Sequence, residues 1–257
     1  SAFVVTIILG SLAATTFGYK FDYLNVFLAA MVPFFGWQLS IVINDVYDYK
    51  IDRITNKNRP LVKKALTKEE YMFVGYIFAF LALSFAAVLN EYIFLITIFG
   101  ILLGIVYSMP PIRLRSHLAG NLVIGISMVI PFAIGLLLSK DLTLLLDQKN
   151  VTSFLLLFIF GTIVTLTKDI KDIKSDSMYG VKNLYTILGK EKGKKAIVLL
   201  LFLVFNTPLF ILKDFTLAPV TIFSAFLACY LYYKKEDEKL VYAVSILLIT
   251  YIFIRLY

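Results

Sequence analysis

The chain has 257 residues, 60% of them hydrophobic and only 16% charged, against about 25% charged in an ordinary soluble domain. With a mean hydropathy of +0.85, this composition excludes a water-soluble globular protein and places the chain in a bilayer. One cysteine and one histidine, Cys229 and His117, exclude an intrachain disulfide, a thiolate cluster, a histidine zinc site and a Ser/His/Asp or Cys/His set.

In chain order, apolar runs occupy roughly 1–18, 24–44, 70–89, 92–108, 118–139, 151–168, 195–212, 216–233 and 240–256. They predict an all-α membrane protein of nine transmembrane helices in one domain, 1–257, because a spanning helix needs about 20 apolar residues. The alternation of a membrane barrel is missing. The connections differ in charge. Those after runs 1, 3, 5 and 7 carry Lys20, Lys140, Lys149 and Lys213; those after runs 2, 4, 6 and 8 hold 20 of the 25 Lys and Arg. The positive-inside rule makes the basic loops cytoplasmic and puts the carboxyl terminus outside. That topology accounts for the net charge of +8, so no nucleic-acid partner is implied.

Two of the basic-side connections carry acids in the same pattern. Asn44 and Asp45 are followed by Asp48 and Asp52; Asp169 is followed by Asp172 and Asp176. Both contain D-x-x-D-x-x-x-D, and on a continuous helix positions i, i+3 and i+7 share one face. Each motif thus predicts a carboxylate stripe where a helix meets water. The copies are offset by 124 residues, Asp48 to Asp172 and Asp52 to Asp176. That spacing predicts two similar halves, roughly 1–108 and 118–233, with the last run, 240–256, left over.

Six carboxylates facing one pocket repel each other unless cations neutralise them. Mg²⁺ suits them, since it is commonly held by one or two carboxylates together with substrate phosphates, and two ions would clamp a diphosphate from both sides. Basic residues stand nearby to take phosphate oxygens: Arg59, Lys168, Lys182, and Arg113 and Arg115 in the proline-stiffened loop that follows Tyr107. A cation transporter would place its acids near the bilayer midplane on broken helices. A phosphatidyl-alcohol transferase would show D-x-x-D-G, which is missing. The 23 Phe, 16 Tyr and one Trp are mostly lipid-facing or packing residues. Trp37 and Tyr47 lie near the first stripe.

These residues together resemble the UbiA superfamily of membrane prenyltransferases. The resemblance rests on N-D-x-x-D-x-x-x-D at 44–52, Arg59-Pro60, Tyr-Ser-x-Pro-Pro-x-Arg at 107–113, and Asp172 and Asp176 followed by Gly-Val-Lys at 180–182. It implies nine helices around a central cavity with cytoplasmic cap loops, and a Mg²⁺-bound isoprenyl diphosphate between the two motifs. By position, Asn44, Asp48 and Asp52 match the first motif and Asp172 and Asp176 the second, with Asp45 and Asp169 as additional ligands. Asp48, Asp52, Asp172 and Asp176 are then the catalytic set. A lipophilic acceptor is implied, an aromatic quinone precursor first and a glycerol phosphate ether lipid, as in archaeal members, second. Some relatives carry Y-x-x-x-K after the fourth helix; here Pro111 stands at the lysine position, leaving Arg113 or Arg115 to substitute.

Overall fold

The computed structural model describes residues 2–257, with side chains from Val4 onward; Ser1, in the first apolar run, lies outside the described residues. Among these the regular structure is entirely helical. The long helices are α1 (Ala2–Thr15), α2 (Tyr23–Tyr47), α4 (Lys68–Leu89), α5 (Glu91–Ser108), α6 (Gly120–Leu137), α7 (Gln148–Val164), α10 (Lys190–Ile211), α11 (Ala218–Lys235) and α12 (Glu238–Leu256). Three short ones lie between them: α3 (Tyr49–Thr55), α8 (Ile173–Met178) and α9 (Leu184–Leu188). α7 continues as a 3₁₀ turn, Thr165–Lys171. Eight of these are long and apolar enough to cross a membrane. α1 has 14 residues, about 21 Å at 1.5 Å per residue, less than the hydrocarbon thickness of about 30 Å.

The helix ends follow local chemistry. Asp22 accepts the backbone N–H groups of Leu24 and Asn25 and starts α2; Thr67 and Glu70 form a capping box that starts α4. Outward faces carry bare apolar side chains, such as Phe73, Phe80 and Val88 on α4 and Leu247 and Ile254 on α12. In lipid these need no cover.

α6 is the central helix. Phe132, Ala133, Ile134, Leu136 and Leu137 are nearly fully buried, and α6 packs on α1, α5 and α7. Its contact with α1 depends on two glycines. A Cβ on Gly135 would overlap the Ile7 carbonyl oxygen and lie 2.9 Å from Ser11 N and 3.0 Å from Gly10 Cα; one on Gly10 would lie 3.2 Å from Gly135 Cα. Such close backbone approach is how membrane helices gain packing without a hydrophobic drive between them. Gly135→Leu is therefore expected to push α1 off α6 and destabilise the protein by about 1–3 kcal/mol, seen as a melting temperature several degrees lower in detergent.

Element boundaries recur at the 124-residue offset. α2 and α3 correspond to the segment 148–171 and α8, α4 to α10, and α5 to α11. The predicted continuous helix through each acidic motif does not form. Both copies break at the middle aspartate, Asp48 at φ −96°, ψ 8° and Asp172 at φ −102°, ψ 5°. The chain resumes as α3 and α8, which pack on each other, with Ser175 Oγ 3.5 Å from Thr55 Oγ1.

Candidate active site

One cavity of about 320 Å³ collects most of the residues expected from the sequence: Asn44, Asp45, Asp52, Arg59, Tyr107, Arg115, Lys168, Asp169, Asp172, Asp176 and Lys182 all line it. The acids come from two places 124 residues apart in the sequence, and both sets line the mouth of the same cavity. Below the mouth the wall is built by α2, α5 and α6 and is mostly apolar, including Val32, Trp37, Ile41, Ile101, Ile124 and Ile134.

Each last aspartate is oriented by an asparagine. Asn56 Nδ2 donates to Asp52 Oδ1 at 2.8 Å, and Asn183 Nδ2 donates to Asp176 Oδ2 at 2.7 Å; both asparagines also line the cavity. Asp45, 1% exposed, accepts the Tyr71 hydroxyl at 3.0 Å and faces Arg59 at 3.2 Å. Sequence reasoning named Arg59 but missed Asn56, Asn183 and Tyr71. Asn56, four residues after Asp52, carried a readable helical signal; Asn183 follows a turn and Tyr71 lies on another helix, so neither had a local one.

Asp48 and Arg113 do not line the cavity. Asp48, 1% exposed, is covered by two guanidiniums from the loop after α5: Arg113 Nη2 at 2.7 Å on one oxygen and Arg115 Nη1 on the other. Asp48 thus stands apart from Asn44, Asp45 and Asp52, which line the cavity, and is held by the two arginines instead. Asp172, its counterpart, faces the cavity and makes no ion pair among the described residues. The loop after α5 and the loop after α8 are tied together by the Lys182 N–H, which donates to the Ser116 carbonyl at 3.0 Å.

The mouth is under-neutralised. Asp52 Oδ2 and Asp176 Oδ1 are buried without a hydrogen-bond partner. Burial pushes the Asp176 carboxyl up to about 6, against the pull of Arg115, and raises that of Asp52. Orphaned buried carboxylate oxygens are acceptors waiting for a cation. Among the described residues no three acids converge into a complete cage. Mg²⁺ takes one or two carboxylates and leaves positions for water and phosphate. The donor set is all oxygen, which suits a hard cation.

Comparison with known proteins identifies one family over nearly the whole chain. The model of the UbiA prenyltransferase family matches residues 3–249. Among curated relatives, a digeranylgeranylglyceryl phosphate synthase of Methanosphaera stadtmanae is 27% identical over 187 residues, 71% of this chain and 64% of that protein. A chlorophyll synthase of Arabidopsis thaliana is 29% identical over 59% of this chain and 41% of its own length. A probable homogentisate phytyltransferase 2 of Oryza sativa subsp. japonica is 28% identical over 57% and 40%. The matched part therefore spans less than two thirds of each of these relatives. Among solved structures, a UbiA homolog from Archaeoglobus fulgidus bound to DMAPP and Mg²⁺ superposes with a TM-score of 0.73 at 19% identity, over 98% of this chain and 95% of that one. The apo UbiA homolog from Aeropyrum pernix K1 gives 0.74 at 17%, over 98% and 97%.

Proposed function

Because the chain belongs to the UbiA prenyltransferase family, a family of multi-pass membrane proteins, we propose that it transfers a prenyl group from an isoprenyl diphosphate to a lipophilic acceptor, with Mg²⁺ as cofactor. One observation carries the reading: a single cavity has two aspartate motifs and four cationic side chains at its mouth and an apolar body beneath. That division matches a substrate with a diphosphate head and a hydrocarbon tail. The homolog bound to DMAPP and Mg²⁺ supports it. In this reading α1 is a ninth, short span, the basic loops face the cytoplasm, and the carboxyl terminus lies outside.

Asp52, Asp176, Asp172, Asp169, Asp45 and Asn44 are the groups that would hold the metal, as two ions, one per motif. Bound there, Mg²⁺ would neutralise the departing pyrophosphate. Arg59, Arg115, Lys168 and Lys182 bind the diphosphate oxygens, and Tyr107 stands beside them. Asp48 fixes Arg115 and Arg113 rather than facing the donor. The carbon–oxygen bond of the donor breaks, its electron pair leaving with pyrophosphate. The apolar wall excludes water from the allylic cation, and aromatic faces such as that of Trp37 stabilise it. The acceptor then forms the new bond and gives up a proton.

We take an aromatic quinone-precursor ring as the first acceptor class. Ether formation on a glycerol phosphate lipid is the second, favoured by the relative matched over 71% of this chain. The test is transfer of label from a radiolabelled prenyl diphosphate in detergent-purified protein, with hydroxybenzoates, naphthoates and geranylgeranylglyceryl phosphate offered in parallel. Labelling of one acceptor, abolished by EDTA and restored by Mg²⁺, is expected. A folded protein that binds no prenyl diphosphate in the presence of Mg²⁺ would refute the proposal.

A further inference from the structure

We propose that Tyr71 of α4 is a positioning residue for the donor site: its hydroxyl holds Asp45, and Asp45 in turn holds Arg59 at the cavity mouth. The inference rests on the donor reading above and adds to it a residue outside the cavity lining.

The start of α4 places the tyrosine. The capping box of Thr67 and Glu70 fixes the first turn, and the Tyr71 N–H donates to the Thr67 carbonyl at 3.0 Å. The Tyr71 ring is 8% exposed and sits in a cluster with Val42 and Val46 of α2 and with Leu61. Leu61 lies two residues beyond Arg59, so the ring also clamps the loop that carries the arginine. Backbone hydrogen bonds complete that loop. Arg59 N–H donates to the Asn56 carbonyl and Lys63 N–H to the Arg59 carbonyl, each at 3.0 Å.

The hydroxyl has a second effect. It donates to Asp45 Oδ2 at 3.0 Å, while Oδ1 of the same carboxyl lies 3.2 Å from Arg59 Nη1. A carboxyl group is planar, so fixing one oxygen sets the direction of the other. A tyrosine hydroxyl brings one donor and no charge; it orients Asp45 and leaves its attraction for Arg59 intact. A lysine or arginine in its place would compete with Arg59 for the same anion. The Arg59 side chain is 37% exposed, and a long arginine stem left free gives up its rotamer freedom when a ligand arrives. Held by Asp45 beforehand, it has less left to lose when its remaining N–H groups meet a diphosphate.

The second motif lacks the device. At the offset of 124 residues Lys195 stands for Tyr71 and Asn183 for Arg59. Lys195 is exposed, and Asn183 is bonded to Asp176. Pre-orientation of a cation through a tyrosine therefore belongs to the first motif.

The experiment is a double-mutant cycle on Mg²⁺-dependent binding of inorganic pyrophosphate, measured by competition with a labelled prenyl diphosphate in detergent-purified protein. Tyr71→Phe keeps the ring and removes the hydroxyl. It is expected to weaken pyrophosphate binding by about five- to tenfold, a coupling of the size found within one hydrogen-bonded network. In an Arg59→Gln background the same substitution should cost less than about twofold, and in a Lys182→Gln background, on the loop after α8, its full factor. A tyrosine that only supports the fold would weaken binding by one factor in all three backgrounds. That result would overturn the proposal, as would parental affinity in Tyr71→Phe. Monodisperse elution checks folding, and Tyr71→Leu, which also lacks the hydroxyl, takes the place of the phenylalanine variant if that one aggregates. A parent that binds no pyrophosphate with Mg²⁺ would overturn the donor reading and the tether with it. A parent that binds, with additive losses in the variants, would overturn the tether alone.

Discussion

Asp48→Asn is expected to destabilise the protein by about 3 kcal/mol, while Asp172→Asn, at the equivalent position of the second motif, leaves its stability within about 0.5 kcal/mol. Asp48 is 1% exposed and serves both Arg113 and Arg115, whose side chains are only 28% and 16% exposed. Removing the shared anion leaves two half-buried guanidiniums facing each other. Breaking a buried pair from one side typically costs 3–5 kcal/mol, and the amide can still accept one hydrogen bond, which sets the estimate at the low end. Asp172 faces the cavity and makes no ion pair among the described residues, so the same substitution orphans no cation there. At this chain length 1 kcal/mol corresponds to about 2–4 °C. Asp48→Asn should therefore melt roughly 6–12 °C lower in detergent without Mg²⁺, and its loop 109–117 should be cleaved faster by protease. Equal melting of the two variants would show that the Asp48 cluster does not hold the loop.

Asp176→Asn is expected to slow prenyl transfer by about 10²–10³-fold and, without metal, to melt above the parent. The rate loss has the size found when one preorganised electrostatic contact to a developing charge is removed. The stability gain has a separate cause. Asp176 is 4% exposed with Oδ1 unpaired, and burial pushes its carboxyl up to about 6. A carboxyl that binds its proton more tightly in the folded chain stabilises the fold while protonated. That contribution is fully present below the unfolded value near 4 and is lost as pH rises through about 6. Asparagine mimics the neutral form at all pH values. In EDTA the variant should match the parent near pH 4 and exceed it by about 1–2 kcal/mol above pH 6. Adding Mg²⁺ should narrow the gap, because the cation relieves the same charge in the parent alone. A variant less stable than the parent at pH 7 in EDTA would show that the carboxylate is already compensated within the fold.

The sequence by itself determined the membrane-spanning helical class, because apolar runs of this length admit no other solvent. It also located the acids that line the cavity mouth, since the repeated D-x-x-D-x-x-x-D at an offset of 124 residues is a local pattern legible without contacts. What it could not determine is which acids are equivalent in use. Spacing alone makes Asp48 and Asp172 counterparts, and the backbone obeys, breaking at both with nearly equal dihedrals. Their partners are chosen by packing across the bundle: Arg113 and Arg115 reach Asp48 from 65 and 67 residues away, and among the described residues no arginine pairs with Asp172. Asn183 on Asp176 and Tyr71 on Asp45 depend likewise on how a loop returns and how α4 lies on α2. Periodicity reports which residues share a helix face, whereas charge compensation in a buried site depends on which faces the tertiary structure brings within about 3 Å, and no one-dimensional pattern encodes that distance.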